Sequence, residues 1–173
     1  PLEQAAARLA GFAGVGRRFE RRGAARGVQV VDDYAHHPAE VAATLRAARE
    51  SHAGRVVAVF QPHLYSRTRA VGADIGAALG AADLVVVTDV YAAREAPEPG
   101  VSGRLVADAV PAPAEVRYVP RLADVPAALV PALRPGDLVL TIGAGDVTAL
   151  GQELLRCLEN GHPDGDGGPG GAG

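Results

Sequence analysis

Short apolar runs alternate with segments of helical periodicity along most of the sequence, and this alternation constrains the fold most strongly. Apolar runs recur at 55–60, 84–90, 116–119 and 137–142. Helical patterns occur at about 38–50, 67–79, 102–110, 122–133 and 146–159. Runs that are apolar throughout are typical of strands buried in a parallel sheet, and strand–helix alternation is typical of α/β domains. The sequence therefore predicts an α/β fold with an open, mostly parallel Rossmann-like sheet and helices on both faces.

The two ends of the chain depart from this pattern. The segment "LEQAAARLAGF" at 2–12 reads as a short helix, and "RRFERR" at 17–22 and "GVQVVDDY" at 27–34 read as strands joined by a glycine-containing turn. The glycine-rich tail at 160–173 has almost no apolar residues to bury, so we expect it to be disordered. A length of 173 residues suits a single domain between these ends.

Composition excludes several classes of function. All 17 basic residues are arginines, so the chain has no lysine for a P-loop, a Schiff base or general-base catalysis. With Cys157 as its single cysteine, the chain can form neither an intrachain disulfide nor a cysteine-based zinc site. A formal charge of −3 argues against a general nucleic-acid binder, and no apolar run is long enough to span a membrane. We therefore expect a bacterial cytoplasmic protein without nucleic-acid or membrane partners.

Polar side chains are concentrated in the segments that leave the carboxyl ends of the predicted strands. These segments read "DDYAHHP", "QPHLYSRTR", "TDVYAAREAPEPGVSG" and "IGAGDVT", whereas the opposite loops "SHAG" and "RPGD" are short and plain. Open α/β sheets bind ligands at the carboxyl ends of their strands. The sequence therefore predicts a binding site at this edge.

The first of these turns combines acids and histidines before a helix. Asp33 ends a strand, where a carboxylate can accept hydrogen bonds from ribose hydroxyls. His36 and His37 precede Pro38 at the positive end of the helix dipole, which favours neutral, donor-capable histidine near an anion. The alternative is that Asp33 or His37 caps the helix and that the neighbouring residues are merely exposed.

The second turn adds His63, Tyr65, Arg67 and Arg69, with Ser66 as a candidate helix cap. Arg67 falls in the first helical turn, where a positive side chain opposes the helix dipole, so a paired anion would relieve the conflict. A carboxylate or phosphate ligand fits, because a guanidinium binds both in a bidentate manner. A salt bridge from Arg67 to an acid of the chain itself, Asp33 or Asp74, is the alternative.

Other motifs are too weak to support a function. The adjacent histidines lack an acid at HExxH spacing, so we expect no metal site. A GxSxG nucleophile elbow is absent, and "GAGDVT" follows the last strand and lacks the third glycine of a dinucleotide fingerprint. The residues alone therefore indicate an anion-binding edge without a phosphate cradle, which is half of an active site completed by another domain.

The motifs "GVGRRFE", "DDYAHHPAEV", "FQPHLYSRTR", "DVYAAREAPEPGVSG" and "LTIGAGDVTALG" together resemble the carboxyl-terminal domain of the Mur ligases over about residues 11–158. The resemblance implies an ATP-dependent carboxylate–amine ligase of peptidoglycan synthesis that joins L-alanine to UDP-N-acetylmuramate through an acyl phosphate. It implies that the P-loop and the Mg²⁺ site lie on a central domain outside this chain. Residues 1–10 would then be a remnant of the interdomain linker, and 11–159 the carboxyl-terminal domain.

Residue roles follow from the same resemblance. Arg18 matches the arginine that reaches the ATP phosphates, and Asp33 matches the carboxylate that binds the ATP ribose. Tyr34, His36 and Arg67 match positions that line the amino-acid site, with Arg67 the best candidate for the carboxylate of L-alanine. His36 is a candidate base toward the ammonium group, and we expect no other catalytic residue on this domain.

One position departs from the family pattern. Many members have arginine where Leu64 stands, and that arginine also contributes to the substrate site. Its absence leaves carboxylate recognition to Arg67 together with Arg69. The "GAG" turn at 143–145 is expected near the same pocket.

Other interpretations remain open at this point. The chain could be a stand-alone nucleotide- or anion-binding regulatory module, which would bind ATP without a partner domain. It could be the carboxyl-terminal domain of a related ligase that recycles murein peptides, or a small hydrolase that uses the histidine loops. A ligase domain predicts no turnover from the isolated chain.

Overall fold

The computed structural model describes residues 16–160. The helix predicted at 2–12, the linker remnant at 1–10 and the tail from 161 lie outside the described residues, so these predictions stay as they were. The described part contains a six-stranded sheet. Its strands are β1 (Glu20–Ala25), β2 (Val28–Asp33), β3 (Val56–Phe60), β4 (Leu84–Val87), β5 (Glu115–Tyr118) and β6 (Leu138–Ile142).

Five α-helices occur within 16–160. They are α1 (Pro38–Ser51), α2 (Tyr65–Leu79), α3 (Arg104–Ala107), α4 (Val125–Leu129) and α5 (Leu150–Asn160), with 3₁₀ turns at Leu122–Asp124, Val130–Ala132 and Asp146–Ala149. Helix α1 shows why such segments form. Pro38 occupies the start of the helix, where its missing N–H costs nothing. The helix buries Val41, Thr44, Leu45 and Ala48, a spacing that places them on one face.

The strand order is β1-β2-β6-β3-β4-β5. Strand β1 runs antiparallel to β2, and every other neighbouring pair is parallel. Strands β2, β3, β4 and β6 are almost entirely buried, as expected for interior strands of a mostly parallel sheet. The predicted open, mostly parallel sheet is therefore confirmed.

Helices cover both faces of the sheet, also as predicted. One core cluster joins α1, α2 and α3 to a sheet face that includes Phe60, Leu140 and Ile142. The other joins α4 and α5 to the opposite face through residues such as Val57 and Val139. The connections after β2 and β3 therefore lead to one face, whereas the connection after β6 leads to the other. A ligand crevice is expected where neighbouring connections diverge in this way.

Several element boundaries differ from the sequence prediction. The helix predicted at 102–110 is the short α3, and the one predicted at 122–133 is divided between two 3₁₀ turns and α4. Pro126 and Pro131 lie in that segment and have no N–H for a continuous helix, which accounts for the division. The helix predicted at 146–159 begins as a 3₁₀ turn. None of the helices in 16–160 combines the length and apolar character needed to cross a bilayer.

Leu45→Ala should lower the free energy of unfolding by about 2–5 kcal/mol, because Leu45 is fully buried between α1 and the sheet. Urea unfolding monitored by circular dichroism measures this change. The adjacent Arg46 is exposed, so Arg46→Ala should change the free energy by no more than about 0.5 kcal/mol. Equal effects of the two substitutions would contradict the placement of the core.

Candidate ligand-binding edge

Three of the predicted turns leave the sheet at the same level. Ile142 at the end of β6 pairs in register with Asp33 of β2 on one side and Phe60 of β3 on the other. The Gly143 amide donates to the Asp33 carbonyl at 3.0 Å, and the Gln61 amide donates to the Ile142 carbonyl at 3.0 Å. The turns after β2, β3 and β6 are therefore joined directly, which agrees with the predicted single edge.

The fourth segment, after β4, joins the others through a short extension of the sheet. His63 and Tyr91 form an isolated parallel bridge, and their rings stack with centroids 5.6 Å apart. The Leu64 amide donates to the Tyr91 carbonyl at 3.0 Å. A Cβ atom on Gly145 would lie 2.7 Å from Cγ of Tyr91, so glycine is needed where the turn after β6 meets this ring. The predicted placement of the "GAG" turn beside these loops agrees with the geometry.

A buried carboxylate that the sequence analysis did not single out holds the edge together. Asp32 is fully buried, and its Oδ1 accepts a hydrogen bond from the Thr141 hydroxyl at 2.8 Å. Its Oδ2 accepts from Nε of Arg17 at 3.0 Å and from the Thr148 hydroxyl at 2.9 Å. Nη2 of Arg17 donates to the Gly143 carbonyl at 2.7 Å. The signal in the sequence was an acid at the inward position of a buried strand, where a charge requires partners.

The two adjacent arginines before β1 have different environments. The guanidinium of Arg17 is bound to Asp32 and lies 4.8 Å from the ring centroid of Tyr34. Arg18 has a half-exposed side chain that lies 5.9 Å from the Tyr34 centroid and 3.8 Å from Glu40. Arg18, the residue predicted to reach phosphates, is therefore more exposed and more weakly paired than Arg17.

Arg18 and Asp33, the two residues predicted to bind ATP, line one groove of about 330 Å³. Asp33 is only 4% exposed, and its carboxylate accepts hydrogen bonds from the amides of Phe19 and Ala35, both at 2.8 Å. The carboxylate therefore shapes the turn in addition to any contact with a ribose. The ribose contact itself stays a prediction.

His36 is oriented by its own turn. Its Nδ1 lies 3.0 Å from the Tyr34 carbonyl and 3.5 Å from Glu40, two acceptors that favour a proton on Nδ1, so that Nε2 is the acceptor whenever the ring is neutral. Burial alone would raise the pKa of Glu40, but the His36 amide and the charges of His36 and Arg18 outweigh it and keep the pKa below its ordinary value. Tyr34 contacts the His36 ring edge-on at 5.3 Å. His37 is the N-cap residue of α1, and its side chain makes no capping hydrogen bond.

Arg67 contacts a neutral histidine. Its Nη1 lies 3.2 Å from Nδ1 of His63. Burial lowers the pKa of His63, and the charges of Arg67 and His36 lower it further, so the imidazole is neutral near pH 7 and accepts from the guanidinium. Within the described residues Arg67 forms no ion pair, so the alternative salt bridges to Asp33 and Asp74 are not formed.

One expectation for the second turn was wrong. The N-cap position of α2 belongs to Leu64, not Ser66, and the Ser66 hydroxyl instead donates to the carboxylate of Glu95. Arg69 forms an ion pair with Glu98 at 2.6 Å, and its contact with a substrate carboxylate stays a prediction. Both acids come from the segment after β4, whose position relative to α2 the sequence did not reveal. Among residues 16–160, no three His, Cys, Asp or Glu side chains cluster where they could hold a metal ion.

The α/β fold is shared by many classes of protein, so the family is established by sequence comparison. Residues 17–145 match the family described as Mur ligase, glutamate ligase domain, so the chain belongs to the Mur ligase family. The resemblance noted in the motifs is thereby confirmed.

Individual relatives within the family share one name. The chain is 60% identical over 152 residues to a UDP-N-acetylmuramate–L-alanine ligase of Kineococcus radiotolerans, covering 87% of this chain and 32% of the relative. It is 57% identical over 162 residues to the same-named ligase of Mycolicibacterium vanbaalenii, covering 91% and 34%. The crystal structure of a UDP-N-acetylmuramate-alanine ligase from Thermotoga maritima is similar with a TM-score of 0.69 and 28% identity, covering 84% and 30%. The chain thus spans about a third of the length of the curated relatives it matches.

Asp32→Asn should lower the free energy of unfolding by roughly 1.5–3 kcal/mol, because it removes the charge that three donors share. Thr148→Val, which removes one neutral donor, should cost about 0.5–1.5 kcal/mol. Urea unfolding of both single variants and of the double variant measures the values and their coupling. Strict additivity of the two effects would show that the hydroxyl and the carboxylate do not act together.

The imidazole of His63 should titrate below its ordinary pKa of 6.5, because it is partly buried beside Arg67. Since the folded-state pKa is depressed, His63 opposes folding only when pH falls below about 6.5, where the unfolded chain binds the proton more readily. Arg67→Gln should raise the pKa of His63, which NMR titration of the ring protons measures. Arg69→Gln is the matched control, and an equal rise in that variant would exclude a specific contact with Arg67.

Proposed function

We propose that this chain is the carboxyl-terminal domain of a UDP-N-acetylmuramate–L-alanine ligase, which forms an amide between L-alanine and UDP-N-acetylmuramate at the expense of ATP in bacterial cytoplasm. In this proposal the domain binds L-alanine and part of ATP, and closes over the amino-terminal and central domains. Two relatives that carry this name support it through 57–60% identity across nearly the whole chain.

The state of Arg67 is the observation that carries the proposal. Arg67 is a partly buried guanidinium that contacts only a neutral histidine and forms no ion pair within 16–160. A partly desolvated cation held in this way attracts a small carboxylate, because its side-chain hydrogen-bonding partner is neutral and no acid of the described residues forms an ion pair with it. His36 lies on the turn after β2, and hydrogen bonds through the end of β6 join that turn to the one that leads from β3 into α2, the helix of Arg67.

The groove at Arg18 is the proposed contact with ATP. The Arg18 guanidinium is half exposed and 3.8 Å from its acidic neighbour Glu40, which leaves it able to reach a phosphate. The Arg17–Asp32 ion pair fixes the backbone from which Arg18 extends. In the proposal, the P-loop and Mg²⁺ that bind the remaining ATP phosphates belong to the central domain.

The proposed chemistry needs positioning more than proton transfer from this domain. ATP converts the carboxylate of UDP-N-acetylmuramate into an acyl phosphate, and the amine of L-alanine displaces phosphate from it to form the amide. Arg67 holds the carboxylate of L-alanine so that the amine faces the acyl carbon, and such orientation can supply on the order of 7–11 kcal/mol. Arg18 stabilises charge on the migrating phosphoryl group, and domain closure excludes the water that would hydrolyse it.

His36 is the proposed base for the ammonium group of L-alanine. With Nδ1 directed at the Tyr34 carbonyl, Nε2 is the nitrogen that can accept a proton. His36→Gln should remove an acidic limb from the pH–rate profile, whereas an unchanged profile would exclude this role.

A chimaeric ligase tests the proposal directly. The chain should replace the corresponding third of the Kineococcus radiotolerans ligase, and ADP release should then depend on both UDP-N-acetylmuramate and L-alanine. Arg67→Gln should lower kcat/KM for L-alanine about 30-fold or more, which corresponds to roughly 2 kcal/mol for a charge-assisted hydrogen bond. Arg46→Gln, on the exposed side of α1, should leave kcat/KM within about twofold.

The alternative, a stand-alone nucleotide-binding module, predicts a different outcome of these measurements. A folded chimaera without L-alanine-dependent ADP release would contradict the proposal. ATP binding by the isolated chain at micromolar concentration would instead support a stand-alone regulatory module.

A further inference from the structure

Helix α2 begins without a cap of its own. Its N-cap residue is Leu64, whose side chain cannot accept a hydrogen bond, and whose backbone has φ 70° and ψ 134°. The first amides of a helix need acceptors, which a capping serine, threonine, aspartate or asparagine usually supplies. At the start of α2 this acceptor can therefore come only from water or from another part of the chain.

Glu95 supplies that acceptor from the segment after β4. One carboxylate oxygen accepts from the Ser66 amide at 2.9 Å, and the other accepts from the Ser66 hydroxyl. The Ser66 hydroxyl and amide, the Tyr65 amide and the charge of Arg67 all lower the pKa of Glu95, so it is ionised near pH 7. A negative charge at this end of a helix is also favourable to the dipole.

The turn that Glu95 closes is the turn that carries Arg67. A positive side chain in the first turn opposes the helix dipole, and the nearby carboxylate offsets that repulsion. The charge of Glu95 also reaches His63, the residue that Arg67 contacts. Glu95 thus interacts electrostatically with both Arg67 and His63, while its own hydrogen bonds go to Ser66.

Glu95 is itself held in a fixed position. Its amide donates to the Ala92 carbonyl at 2.9 Å, which forms a tight turn. Tyr91 anchors one side of this turn by stacking on His63, and Glu98 anchors the other by its 2.6 Å ion pair with Arg69. The segment that carries Glu95 is therefore held at two points, against His63 just before α2 and against Arg69 within α2.

We propose that Glu95 is a positioning residue for substrate carboxylate binding: by closing the amino end of α2 from outside, it holds Arg67 against His63 in the orientation that receives an amino-acid carboxylate. This inference rests on the proposed function for its substrate. The arrangement of Arg67 itself can be tested without any substrate.

The first experiment measures that arrangement in the 173-residue chain by NMR titration of His63. Arg67→Gln should raise the pKa of His63 in the unaltered background, and in a Glu95→Gln background the same substitution should raise it by less than half as much. Glu115→Gln is the matched control, because Glu115 is another surface carboxylate, paired with Arg117, but lies on β5. An Arg67→Gln effect of the same size in all three backgrounds would overturn the proposal.

The second experiment measures the consequence in the chimaeric ligase. Glu95→Gln should raise KM for L-alanine about tenfold and leave kcat and KM for ATP within about twofold, because the lost interaction acts on binding. Ser66→Ala removes only the hydroxyl bond and should produce a smaller rise in the same direction. An unchanged or lowered KM would overturn the proposal, since a lowered value would mean that Glu95 merely repels the substrate. An inactive unaltered chimaera would contradict the proposed function, while the titration would still decide the role of Glu95.

Discussion

The buried carboxylate of Asp32 is the interaction on which the ligand-binding edge depends. It lies near the end of β2, fully removed from solvent, and three donors from other segments converge on it. A buried charge is tolerated only when such partners are present, so the approach of β1, the end of β6 and the following 3₁₀ turn are tied to one another. The hydrogen bonds to Asp32 therefore fix the relative positions of the segments that carry the exposed groups of the edge.

The arginines at the edge differ in their partners. Arg17 and Arg69 form close ion pairs with acids of the same chain, Asp32 and Glu98. Arg18 lies 3.8 Å from Glu40 with a half-exposed side chain, and Arg67 contacts His63 without an ion pair among the described residues. A chain whose basic residues are all arginine thus uses one side-chain type both in internal ion pairs and at the positions proposed to bind ligands.

The sequence predicted the sheet, its two covered faces and the polar edge because these follow from local periodicity and a general rule of α/β topology. It did not predict which acid binds which arginine. Arg17 donates to a carbonyl 126 residues away, and Ser66 binds Glu95 across 29 residues, so these contacts depend on the packing of whole elements. For Asp32 the strand pattern contained an acid at a buried position, but its partners Arg17, Thr141 and Thr148 reach it only in the folded chain.

The left-handed backbone at Leu64 has a consequence for how such an edge can change during evolution. A φ of 70° costs on the order of 1–3 kcal/mol for a residue with a Cβ atom, and it is imposed by hydrogen bonds to the main chain on either side. Leucine and arginine incur that cost alike. Exchange of leucine for arginine at position 64 would therefore place a cation at this edge of the sheet without adding backbone strain, so the side chain here can change while the fold stays the same.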